Sequence, residues 1–117
     1  MKIRIKDNSV RFRLTKSEVA DLGQHGFVKS FTQFTNGLFI YTIESTDDNE
    51  MSAALVENQI VLKLPKPMIE ELVNTEKIGF EGRAGVVDLL VEKDFVCIDN
   101  TTEDQSDNYP NPSLNCQ

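Results

Sequence analysis

MKIRIKDNSVRFRL, residues 1–14, alternates apolar and basic side chains on both sides of a polar Asp7-Asn8-Ser9 segment. Alternation with a period of two marks a strand with one buried face, and a short polar break between two such runs marks a hairpin. With Asp7-Asn8 as the turn, Ile5 stands opposite Val10, Ile3 opposite Phe12 and Met1 opposite Leu14. Every pair on that face is apolar. The register is therefore pinned, because a slip by one residue would turn each of these side chains to water. The other face sets Arg4 against Arg11 and Lys2 against Arg13, with Lys6 beside the turn. Like charges directly across a ladder destabilise it, so something negative is expected to cover this face. Glu44, Glu81, Asp88 and Glu92, on segments that read as strands, are the candidates.

Working outward, Thr15-Lys16-Ser17-Glu18 has the form of a capping box, a hydroxyl at the helix cap and a carboxylate three residues later. Val19, Ala20 and Leu22 line the inward side of a helix that Gly23 is expected to end. Strands follow at Phe27 to Phe34 and Leu38 to Glu44, separated by the hairpin signal Asn36-Gly37. Met51 to Leu64 folds back around Glu57-Asn58, setting Met51 against Leu64, Ala53 against Leu62 and Leu55 against Ile60. Pro65-Lys66-Pro67 opens a second helix with Met68, Ile69, Leu72 and Val73 as its buried stripe. Ile78 to Glu81 and Val86 to Val91 form a strand pair around Gly82 to Gly85, and Phe95 to Ile98 is a last short strand. No internal repeat is evident. Short connections favour antiparallel neighbours. The expectation is one α+β domain, a mostly antiparallel curved sheet or small open barrel with two short helices. Residues 1–98 make its core, and 99–117, without Lys or Arg, an irregular acidic tail packed on that core.

A chain of 117 residues has room for one well-buried core. No apolar run approaches the roughly 20 residues that cross a bilayer, and the alternating start reads as a strand rather than a signal peptide. A cytoplasmic location is the resulting expectation, with no membrane partner. The net charge of −7 argues against nucleic acid, whose phosphates require a basic surface. The charge is uneven. Residues 1–34 hold seven of the 12 Lys and Arg and only three of the 19 acids.

Two constellations are candidate sites. Lys2, Arg4, Arg11 and Arg13, with Lys6 beyond them, form a cationic face suited to an anion, because guanidinium forks match phosphate and carboxylate. The bland reading of the same face is ion pairing with acids on adjoining strands. Cys97, Asp107 and Cys116, among Asp99, Glu103 and Asp104, could form a mixed zinc or iron site if the tail folds back. Against this, two cysteines without a Cys-x-x-Cys core are ordinarily inert or disulfide-bonded, and Cys97 lies in an apolar run. His25, the single histidine, sits in a turn with no nucleophile beside it in the sequence.

The opening MKIRIK (1–6), Asn8-Ser9, Arg11 and RLTKSEV (13–19) resemble those of an uncharacterised bacterial family of about this length. So do LVEKDFVC (90–97), EDQSD (103–107) and PNP (110–112) near the other end. The resemblance spans the chain and implies a stand-alone bacterial cytosolic protein. It implies no activity, cofactor or catalytic residue. The functional expectation is a non-enzymatic binding or interaction module without a cofactor, engaging a protein partner or a second copy of itself through a strand edge. The alternative is a metal- or anion-dependent enzyme using the cysteine and acid cluster or the cationic hairpin.

Overall fold

In the computed structural model, which describes residues 1–95 and 106–110, the opening hairpin forms as its alternation requires. β1 (Lys2–Lys6) and β2 (Ser9–Leu14) pair antiparallel, Ile3 opposite Phe12 and Arg4 opposite Arg11. Phe12 is fully buried and Ile3 partly so, while Ile5, beside the turn, stays 53% exposed. Helix α1 (Lys16–His25) starts at the Thr15 capping box. It runs through Gly23 to end at Gly26, whose φ of 83° is the left-handed cap that glycine adopts without strain. Gly23 is inside the helix for another reason. A Cβ there would lie 2.7 Å from Val73 Cγ2, so the missing side chain lets a second helix approach.

β3 (Phe27–Phe34) and β4 (Gly37–Thr46) make a long hairpin, β5 (Ser52–Val56) and β6 (Gln59–Pro65) a short one, and helix α2 spans Lys66–Asn74. β7 (Gly79–Ala84) and β8 (Val87–Lys93) close the series. Their turn falls at Gly85-Val86 rather than across Gly82 to Gly85. Gly82 lies within β7 because a Cβ there would meet Met51 Sδ at 2.8 Å. Phe95 forms a single bridge to Tyr109, and the remainder of the expected last strand lies outside the described residues.

The strands form two four-stranded sheets, ordered β1-β2-β8-β7 and β3-β4-β6-β5, and neither closes into a barrel. The class is α+β as expected, but both sheets are mixed. Hairpins pair antiparallel, whereas the central pairs, β2 with β8 and β4 with β6, are parallel. Each helix carries the chain from one sheet to the other, so each hairpin meets its sheet partner only from the opposite half of the chain.

That arrangement is a duplication, against the expectation of no repeat. The unit ββαββ occurs twice. The offset from Met1 to Met51 also carries Asp7 to Glu57, Asn8 to Asn58, Phe12 to Leu62, Leu14 to Leu64, Leu22 to Leu72 and Gly23 to Val73. The backbone repeats as well: Asp7 and Glu57 hold φ of 50° and 54° at the same turn position. One core serves both sheets. Phe12 and Leu14 enter it from the first, Ile43, Leu62 and Leu64 from the second, and Val19, Leu22, Ile69 and Leu72 from the helices. At roughly 1.5–3 kcal/mol for each fully buried apolar side chain, this shared core is the main favourable term.

The part of the tail that is described packs on the domain. The Tyr109 amide donates to the Asp94 carbonyl (2.8 Å), the Tyr109 and Phe95 rings stand 5.7 Å apart, and the Lys93 ammonium sits 5.0 Å from the Tyr109 ring centre. Lys93 donates to the Thr75 carbonyl (3.0 Å), and burial holds its pKa below the ordinary lysine value. The boundary expected at residues 98 and 99 lies outside the described residues.

Candidate functional site

The registers lay the outer face of the first sheet out as rows. One row runs Lys2, Arg13, Glu92, Gly79, and the next runs Arg4, Arg11, Leu90, Glu81. The four expected cations therefore converge on one face, where Lys2, Arg4, Arg11 and Arg13, with Ile3, line a shallow depression of about 260 Å³. Lys6 lies one row further along, outside its lining. Of the four acids expected to cover this face, Glu92 is the one that does. Its Oε1 accepts from Arg13 Nε at 2.9 Å and stands 3.6 Å from Arg11 Nε. Asp94, not anticipated, pairs with Lys2 at 3.0 Å. It is almost fully buried, which makes it a fixed part of the frame. Both ion-pairing and anion-site readings thus hold in part. One carboxylate is shared between two guanidiniums, and no ion pair of Arg4 occurs among the described residues.

The duplication provides an internal control on whether this charge is structural. In the second sheet the equivalent rows are Ser52, Lys63, Glu44, Phe27 and Ala54, Val61, Thr42, Lys29. Ala54 and Val61 stand where Arg4 and Arg11 stand, on the same backbone lattice. The fold therefore has no need of cations at those two positions, and placing two guanidiniums directly opposite each other costs stability. An anion received between them would offset that repulsion with charge-assisted hydrogen bonds.

Of the candidate metal residues, Asp107 is among the described residues. Cys97 and Cys116 lie outside them, and among the described residues no group of three His, Cys, Asp or Glu side chains is placed to hold an ion. Asp107 is at the amino end of α1. Its carboxylate accepts from Ser17 Oγ (2.6 Å) and from the Ser17 amide (3.3 Å), and its carbonyl from the Lys16 amide (3.1 Å). A carboxylate there satisfies orphan helix amides and favours the helix dipole. The sequence signals the capping box but not this second cap, which comes from a distant residue. His25 is the exposed last residue of α1, on an element apart from the cationic face.

Hydrogen bonds from Ser17 and then Thr15 hold the Asp107 carboxyl below its ordinary value. A depressed folded-state value contributes stability at neutral pH that is lost as pH falls through the carboxylate range. Asp107→Asn should therefore lower the urea midpoint slightly at pH 7, with the gap from the parent closing below about pH 4. A gap that persists unchanged to about pH 2 would assign Asp107 no such role.

The model of a family of unknown function, DUF7009, matches residues 1–113 of the chain. No curated protein and no solved structure matches it.

Proposed function

We propose that this chain, which belongs to DUF7009, is a small non-enzymatic binding module that takes an anionic group of a partner on the outer face of β1 and β2. The supporting observation is the depression lined by Lys2, Arg4, Arg11 and Arg13, whose two central arginines have uncharged counterparts in the duplicate half. A phosphate or a carboxylate fits this chemistry. Among the described residues the lining is made of guanidinium and ammonium groups and Ile3, groups that hold an anion by charge and hydrogen bonds. This chemistry supports retention of an anion as the primary reading, with an anion-dependent enzyme as the alternative. A net charge of −7 argues against nucleic acid as the source of the anion. No helix among the described residues is long and apolar enough to cross a membrane, and the reading carries with it the bacterial cytoplasm as its setting.

Titration with inorganic pyrophosphate and, separately, with a Glu-rich peptide, followed by backbone amide shifts at low salt, tests the proposal. Saturable shifts centred on β1 and β2 are expected, and Arg11→Ala should weaken binding about tenfold, as the loss of one charge-assisted hydrogen bond implies. Lys63→Ala on the opposite sheet should leave binding unchanged. If neither probe saturates, or both respond equally to Arg11→Ala and Lys63→Ala, the proposal fails.

A further inference from the structure

We propose that β3 pairs edge to edge with β3 of a second copy of this chain, antiparallel and centred on Phe31, extending the second sheet across a homodimer. This inference is independent of the anion-binding reading, which concerns the opposite sheet.

The four outermost strands differ in how they are protected. β1 carries Lys2, Arg4 and Lys6 in five residues. β5 and β7 touch each other where the sheets meet, Met51 lying against Gly82. β3 has no such device. It is eight residues long, pairs with β4 in unbroken register, contains no proline and bears a single charge, Lys29. Long, regular, weakly charged edges are the ones that recruit another strand. Two phenylalanines also stand out on its outer face, Phe27 and Phe31, at 51% and 63% exposure, and Phe34 is exposed on the other face at the hairpin end.

Backbone phase shows which groups the edge offers. The Ser45 amide donates to the Gly26 carbonyl at 2.8 Å, so Gly26 and Ser45 form a hydrogen-bonded pair. In an antiparallel ladder such pairs alternate. Val28, Ser30 and Thr32 consequently turn their amides and carbonyls toward β4, and Phe27, Lys29, Phe31 and Gln33 turn theirs outward. Among the described residues no backbone group bonds to these outward positions.

A two-fold axis normal to the sheet keeps outer faces on one side, so odd-numbered residues of one copy meet odd-numbered residues of the other. Centring the axis on Lys29 would oppose two ammonium groups, which a ladder disfavours. Centring it on Phe31 sets Phe31 against its own copy and Lys29 against Gln33, an aromatic pair with no like-charge contact. Ile40, opposite Phe31 on β4, and Leu38, next on the same face, extend the apolar surface on both sides of the axis. With about 200 Å² for each phenylalanine, the two rings on the outer face, Phe27 and Phe31, offer roughly 230 Å² per copy, Phe34 lying on the other face of the strand. With Leu38 and the strand edges added, the pair stays at or below the ~1,000 Å² at which stable association begins, in the range of weak, transient contacts. That size fits a reversible dimer and not a permanent one.

Sedimentation velocity on the full chain from about 10 µM to 1 mM should show a monomer–dimer equilibrium, the weak regime expected of so small an interface. Phe31→Lys, which sets two cations across the axis at a mostly exposed site, should raise the dissociation constant at least tenfold and leave the melting temperature within a degree or two. In a Cys97→Ala, Cys116→Ala background, Phe31→Cys should oxidise to a covalent dimer more readily than Lys29→Cys. A monomer at every concentration, a dimer indifferent to Phe31→Lys, or preferential cross-linking through Lys29→Cys overturns the proposal.

Discussion

Truncating Phe12 to alanine is expected to cost about 4 kcal/mol of folding stability, and truncating Leu62, its counterpart in the second half, about 3 kcal/mol. Both side chains are completely buried, each on one of the two inner strands of its own sheet. Phe12 stands opposite Ile3 on one side and Val91 on the other, and Leu62 opposite Ala53 and Ile43. Neither site can collapse easily, since its neighbours are held by ladder hydrogen bonds on two strands. The removed transfer free energy is therefore joined by the cost of a persistent cavity. Against a total stability of about 5–15 kcal/mol, either loss is a large fraction of the whole. Because one core serves both sheets, each variant should unfold in a single transition, with a lower denaturant midpoint and an unchanged slope. Two separated transitions, or a loss below about 1.5 kcal/mol for Phe12→Ala, would contradict a shared core centred on this residue.

The second large effect is expected where the helices cross. Gly23 and Val73 occupy equivalent positions of the two units and face each other. The space a Cβ on Gly23 would need is taken by Val73 Cγ2, at 2.7 Å. Gly23→Val should destabilise by about 1–2 kcal/mol through overpacking, since Val73 is 43% exposed and can give way in part, and valine has the better helix propensity. Combining it with Val73→Gly exchanges the two residues between halves and restores the space. The double variant should recover most of the loss, short of the parent by no more than about 1 kcal/mol. Additive losses in a double-mutant cycle of urea unfolding would mean that the two residues do not share the crossing. Sequence inspection takes Gly23 for a helix end, because glycine serves turns and close approaches equally well. Only the partner helix shows which role applies here, and Gly82 against Met51 is the same ambiguity resolved the same way.

The cationic site was legible to the extent that its residues are local. Lys2, Arg4, Arg11 and Arg13 share a face by alternation alone, and a hairpin brings them together without help from the rest of the chain. Which acids answer them was not legible. Glu92 is brought alongside Arg13 by a parallel pairing across the whole length of the domain, and Asp94 follows on the same strand's exit. The likeness of the two halves was also hidden, since few residues are shared between them and the hairpin ends differ. Phe27 pairs with Glu44 over 17 positions (44 − 27), and Gly79 with Glu92 over 13 (92 − 79), so the first of these hairpins reaches two residues further on each arm.

Amino-acid order by itself determined the registers of the β1–β2 and β5–β6 hairpins, the starts of both helices and the charged stripe, since these depend on alternation, turns and caps within a few residues. Tertiary structure alone decided that β2 joins β8 and β4 joins β6, and hence that two mixed sheets exchange hairpins about a shared core. Strands with one apolar face look alike to one another. Which of them pair across the chain depends on the volume two helices and two sheets can fill together, and no local pattern encodes that volume.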